Sequence, residues 1–150
     1  MKISKSLLKA TVFLSCAASC ATQALAWGPN GHAIVADIAE TRLTPEARTQ
    51  VQTLLATEGL HSLDQIASWA DNVGHLPKNK GGLPETLPWH YVDVDVADTA
   101  YDQKRDCPDR LCVAEKLPEE MAVLRDPSAS ASRRLTALKW VVHLTGDVHQ

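Results

Sequence analysis

Apolar positions recur at helical intervals along most of the chain. In residues 31–42 (GHAIVADIAETR), Ile34, Val35 and Ile38 follow a Gly-Pro-Asn-Gly turn, which predicts a helix with those three residues on its inner face. Thr44-Pro45 predicts the next helix start, with threonine as cap and proline at the first helical position. Val51, Leu54 and Leu55 give that helix its apolar face, and Gly59 ends it. Ser62 reads as the cap of a third helix whose buried stripe is Leu63, Ile66, Ala67 and Ala70. Residues 72–88 hold three glycines and three prolines and read as a long loop. Alternation over 89–96 (WHYVDVDV) predicts a short strand. Beyond Cys112 the pattern is helical, interrupted at Pro118 and stopped near Asp126-Pro127. A serine-alanine linker leads to a last helix capped by Ser132, which runs to Gln150 without a glycine or proline stop and suggests a fragment. The pattern predicts a mostly α fold.

The chain is 150 residues long, but its first 26 read differently from the rest. They carry Lys2, Lys5 and Lys9, no acidic residue, an apolar stretch through Val12, Phe13 and Leu14, and Ala24-Leu25-Ala26. Residues 1–26 are therefore read as a signal peptide with a small-x-small cleavage site, and 27–150 as one modest domain, exported to the periplasm or secreted. Its apolar stretch is too short to span a bilayer, and no later stretch is long enough. With 45% hydrophobic and 22% charged residues, the composition excludes disorder, collagen-like repeats and coiled coil. After cleavage twelve basic residues face eighteen acidic ones, a net charge of −6. A binder that neutralises phosphates with its own side chains is normally basic. An acidic domain must draw positive potential from elsewhere, and bound metal cations are one source. Cys16 and Cys20 leave with the signal, so Cys107 and Cys112 close a short loop and read as a disulfide. Lipoprotein cleavage before Cys20 is the rival processing route, and Ala17 suits it poorly.

His143 and Asp147, four apart on the last helix, project from one face and form a ready pair of zinc ligands. The alternative is a buried imidazole bonded to a neighbouring carboxylate. Asp71, His90 and His32 are further candidates, each weak alone, and His61 and His75 lack a carboxylate at suitable spacing. Cleavage after Ala26 would free the α-amino group of Trp27, which can lose its proton near neutral pH and chelate a metal together with its own carbonyl.

Taken together, four ordered motifs carry a resemblance. Trp27-Gly28 followed by Gly31-His32, then Ala67-Ser68-Trp69-Ala70-Asp71, then Trp89-His90-Tyr91-Val92-Asp93, and finally His143-Leu144-Thr145-Gly146-Asp147-Val148-His149-Gln150 resemble the zinc-dependent single-strand-specific nucleases of the mung-bean-nuclease type. Bacterial zinc-dependent phospholipases C share that fold and metal plan. The resemblance spans 27–150 and implies an all-α fold, here the N-terminal portion of a domain truncated at its C-terminus.

It further implies that Asp71, His90, His143 and Asp147 hold one zinc, that the amine and carbonyl of Trp27 with His32 hold a second, and that Asp147 bridges them. Asp71 would orient and help deprotonate the attacking water, as catalytic residue. The implied reaction is hydrolysis of single-stranded DNA or RNA to 5′-phosphate products, with 3′-nucleotidase activity alongside, by a monomer. Three zinc ions are implied, and this chain carries ligands for only two of them. His149 matches a non-ligating position. Tyr91 matches an aromatic that stacks a nucleobase, and Asp93 a group that bonds the base edge; core packing is the alternative for Tyr91. Where relatives place a phosphate-contacting basic residue, this chain has Gly74, with Lys78 and Lys80 nearby. The cysteine loop Cys107–Cys112 also matches the family's. A phospholipase C on the same scaffold and a metal-binding fragment without catalysis are the other readings.

Overall fold

The structure, a computed structural model, describes residues 27–149, so the signal-peptide reading of 1–26 lies outside the described residues. Helix α1 is Pro29–Arg42 and α2 is Pro45–Ala56. A single turn of 3-10 helix, Asp64–Ile66, leads to the short α3, Trp69–Gly74. Two more 3-10 segments follow, Lys78–Lys80 and Pro84–His90. The remaining helices are α4 (Gln103–Asp106), α5 (Val113–Arg125) and α6 (Ala131–Val148). No strand occurs among the described residues, so the fold is all-α. No helix there is long and apolar enough to cross a membrane.

Helix α6 is the axis of the core. Its Leu135 and Leu138 join Ala36 of α1, Leu54 and Leu55 of α2, and Leu63, Ile66 and Ala67 in one buried cluster. One turn further along, Trp140 and Leu144 meet Ala70 of α3 and Val113 of α5, with Trp69 and Trp89 packed at the edge. The indole of Trp140 makes an edge contact with Trp69 and a tilted one with Trp89. Burial of these rings contributes roughly 1.5–3 kcal/mol for each large side chain. It also fixes the ends of α3 and of the Pro84–His90 segment against α6.

Cap chemistry explains several element starts. Thr44 accepts a hydrogen bond from the Ala47 N–H at 3.2 Å, with Pro45 at the first position of α2. After α2 the chain turns through Gly59 in the left-handed region (φ 70°), which lets the Leu60 N–H reach the Leu55 carbonyl.

Five sequence expectations are corrected. Ile34 and Ile38 are more than half exposed; α1 instead turns His32 and Ala36 inward, so the two isoleucines sit on the other side of the helix. The single helix expected from Ser62 is split: the Ser62 hydroxyl bonds the Asp64 carboxylate, and only three residues of 3-10 helix precede the separate α3. Trp89–Val96 is not a strand, because Trp89 and His90 end a 3-10 segment containing Pro88, which has no N–H to donate to a ladder. Helix α5 runs through Pro118 without a break. The cap of α6 is Ser130, not Ser132, and its hydroxyl accepts from the Arg133 N–H at 3.2 Å.

Candidate metal centre

Four elements send side chains to one point. His32 comes from the first turn of α1, Asp71 from α3, His90 from the end of the Pro84–His90 segment, and His143 and Asp147 from successive turns of α6. His143 Nε2 lies 3.0 Å from His90 Nδ1, 3.4 Å from Asp71 Oδ1 and 3.4 Å from Asp147 Oδ2. His90 Nδ1 is in turn 3.1 Å from Asp147 Oδ2 and 3.6 Å from Asp71 Oδ1. On the other side of Asp147, its Oδ1 faces His32 Nε2 at 3.4 Å. The His32 and His143 rings stack with centroids 4.0 Å apart. The two oxygens of Asp147 thus address different partners, Oδ2 toward His90 and His143 and Oδ1 toward His32.

Packing dictates which nitrogen His143 presents. Its ring is fully buried, and Nδ1 donates to the Ala67 carbonyl at 2.7 Å. In the neutral ring that leaves the lone pair on Nε2, aimed at His90, Asp71 and Asp147. A backbone carbonyl orienting an imidazole in this way is a usual support of metal-ligating histidine. The carbonyl comes from the turn just before α3, the helix that also carries Asp71.

The cluster is tight in charge as well as space. Burial works against a charged His143, but the Asp71 and Asp147 carboxylates and the Ala67 carbonyl outweigh it and raise its pKa. His32 shifts the opposite way, driven down first by burial and then by repulsion from His143. Asp71 is lowered, chiefly by its hydrogen bond with His143, and stays a carboxylate.

The donor set suits a cation. His32, His143 and Asp147 form one group whose ligand atoms lie within 4.8 Å of one another, and Asp71, His90 and His143 form a second. Among the described residues, His32 Nδ1 and His90 Nε2 are buried without a hydrogen-bond partner. Two imidazole nitrogens 3.0 Å apart beside two carboxylates gain from a shared positive charge, and neutral nitrogen with carboxylate oxygen is zinc-type chemistry.

His32, Asp71, His90 and Asp147 line a cavity of about 540 Å³, together with Trp27, His75, Leu87 and Tyr91. Trp27 lies over Gly31, where a Cβ would come within 2.9 Å of the indole. Tyr91 is 57% exposed, so it does not serve as core packing. Tyr91 also lines a second cavity of about 170 Å³ with Asp93, Asp106 and the disulfide cysteines. Asp93 belongs to that second cavity and not to the first. Cys107 and Cys112 are bonded, with Cα atoms 5.9 Å apart. Lys78 pairs with Glu85 at 3.3 Å, and neither Lys78 nor Lys80 lines the metal-side cavity. His149 is exposed and donates back to the Thr145 carbonyl. A separate apolar groove between α1, α2 and α6, about 450 Å³, contains none of the clustered histidines or carboxylates.

Two participants escape a reading of the sequence. The Ala67 carbonyl is a backbone group and leaves no mark in residue identity. His75, expected to lack a carboxylate at suitable spacing, in fact lies four residues after Asp71, one turn on, and lines the cavity beside it.

The sequence that builds this cluster of histidines and carboxylates has relatives among known proteins. The S1/P1 Nuclease family model matches residues 27–150, and the chain belongs to that family. It is 31% identical over 140 residues to Nuclease S1 of Aspergillus oryzae, an alignment covering 88% of this chain and 47% of that protein. It is 31% identical over 127 residues to Nuclease P1 of Penicillium citrinum, covering 83% and 46%. Endonuclease 2 of Arabidopsis thaliana is 34% identical over 134 residues, covering 83% and 44%. The chain thus spans about half the length of the curated relatives it matches.

Proposed function

We propose that this chain carries the two-metal part of a zinc-dependent, exported endonuclease that cleaves single-stranded DNA or RNA to 5′-phosphate products and also removes 3′-phosphates from nucleotides. The observation that carries the reading is the division of Asp147, with Oδ2 beside His90 and His143 and Oδ1 beside His32. In it, Asp71, His90, His143 and Asp147 hold one ion, and His32 with the amine and carbonyl of a processed Trp27 hold the other. Zinc at these positions supplies Lewis acidity and offsets the charge of the phosphodiester in an otherwise acidic protein.

The chain's own residues do the rest. Asp71 remains a carboxylate beside His143, and can take a proton from the water that attacks phosphorus. Attack in line breaks the P–O3′ bond and leaves the 5′-phosphate on the departing strand. Tyr91, exposed at the rim, offers a flat face to a splayed base, and Asp93 lies where a base edge can donate to it. Stacking accepts any base, which suits cleavage with little sequence preference. A duplex keeps its bases paired and cannot use that face.

The test is a zinc titration followed by two hydrolysis assays on the same preparation. The reading expects two zinc ions per chain, 5′-phosphorylated products from single-stranded DNA and no turnover of lecithin. Lecithin turnover without DNA cleavage would hand the site to the phospholipase reading. Two bound zinc ions with neither activity would leave a metal-binding fragment.

A further inference from the structure

The disulfide loop touches the candidate substrate side of the cavity and not the metal side. Cys112 caps α5, and the first N–H of that helix, from Val113, donates to the Tyr91 carbonyl at 3.1 Å. Both cysteines line the small cavity together with Tyr91 and Asp93, and neither lines the cavity of His32, Asp71, His90 and Asp147.

The loop is held from several directions. The Cys107 carbonyl accepts from Gln103 Nε2 at 2.8 Å and from the Arg110 N–H at 2.9 Å. Arg110 occupies the left-handed region (φ 55°), and its guanidinium reaches Glu115 of α5 at 2.7 Å. Tyr101 Oη donates to the same Glu115 at 3.0 Å. The buried Asp106 carboxylate accepts from Arg105 and from the Asp102 N–H. Val113 itself is buried against Trp140 and Leu144, so the start of α5 is anchored in the core. Tyr91, by contrast, has no regular structure after it and an exposed ring. The Val113 bond therefore ties this fixed element directly to the Tyr91 backbone, which the packing of Trp89 and Val92 against the same cluster also steadies.

We propose that the Cys107–Cys112 loop is a positioning device for substrate: by fixing the first turn of α5 it holds the Tyr91 backbone, and so sets where a base stacks, without acting on the metals. The proposal rests on the reading of Tyr91 given under Proposed function. A loop closed over so short a span removes little freedom from the unfolded chain, so its main effect is local.

The experiment uses the zinc-loaded chain, with oligothymidylate as probe and zinc content as a parallel readout. Cys107→Ser/Cys112→Ser should weaken oligothymidylate binding roughly five-fold or more while zinc content stays at the parent value. Val113→Pro provides an independent route. It removes the one N–H that holds Tyr91 at a helix position that accepts proline, and the extended Cys112 before it is compatible. It should weaken binding in the same direction, and it carries the test if the serine variant does not fold. Tyr91→Ala should cost roughly ten-fold in the parent but less than about two-fold in either variant, because the ring is already misplaced there. Unchanged affinity in the variants, a full Tyr91→Ala loss in their background, or zinc lost with the disulfide would each overturn the proposal and leave the nuclease reading intact. A parent chain that holds zinc but no oligothymidylate would instead sink the substrate reading, and this inference with it.

Discussion

Gly146 is in close contact with His32: a Cβ built on it falls 2.6 Å from His32 Nδ1 and 3.1 Å from Cε1. Helix α6 brings its backbone against the imidazole of α1 at the residue just before Asp147. Gly146→Ala should therefore push the His32 ring away from Asp147. Alanine gains about 1 kcal/mol of helix propensity over glycine, and overpacking a buried site costs about 1–3 kcal/mol. The expected result is a lower melting temperature and reduced zinc content. A variant that melts higher and holds the parent's zinc would mean that His32 yields freely.

Asp147→Asn separates charge from shape. An amide keeps the size of the side chain but bridges two cations poorly and adds no negative charge. Zinc content should fall from two ions to one or fewer, and hydrolysis of single-stranded DNA should be lost. Full zinc content in this variant would show that Asp147 is not shared between ions.

Processing at Ala26 makes a third test. A chain beginning at Trp27 offers a free amine, whereas one extended by a single methionine has an amide nitrogen with no lone pair to give. The extended form should bind the second zinc more weakly in a competitive chelator titration. Equal affinities for the two forms would remove Trp27 from the ligand set.

Away from the pocket, Arg133 holds the buried Glu120 through two bonds, 2.7 and 2.9 Å long. Arg133→Met would leave that carboxylate buried without its partner, which costs about 2 kcal/mol once the partial exposure of Arg133 is allowed for. Urea denaturation should show the loss with an unchanged slope, and zinc content should not move. A stability within about 0.5 kcal/mol of the parent would mean that Glu120 finds water instead.

Helix existence was legible because periodicity survives in any context, as at Val51, Leu54 and Leu55. The orientation of α1 was not. Hydropathy places Ile34 and Ile38 inside, whereas the inner face is claimed by His32, whose partners Asp147 and His143 lie on α6. The alternation after Trp89 likewise imitates a strand, but Pro88 and the absence of a pairing strand among the described residues leave it irregular. Cap choice between Ser130 and Ser132 depends on which hydroxyl meets the Arg133 N–H, a detail that two similar residues conceal. In the pocket, only His143 and Asp147 stood out by spacing, and the resemblance carried by four ordered motifs named the other residues that converge. The distances, the Ala67 carbonyl and the close packing of Gly146 depend on tertiary structure and leave no periodic trace.

The Ala67–His143 hydrogen bond has a consequence for how the molecule answers mechanical disturbance. Ala67 lies in the buried cluster with Leu55 and Leu135, so the carbonyl that selects the His143 tautomer is seated in the hydrophobic interior. A cavity opened at Leu55 would shift that carbonyl before it touched any ligand, and the imidazole would turn with it. Under the proposed zinc reading, core volume and metal affinity would vary together, so that substitutions chosen for thermal robustness alone would also retune how tightly this chain competes for a scarce ion.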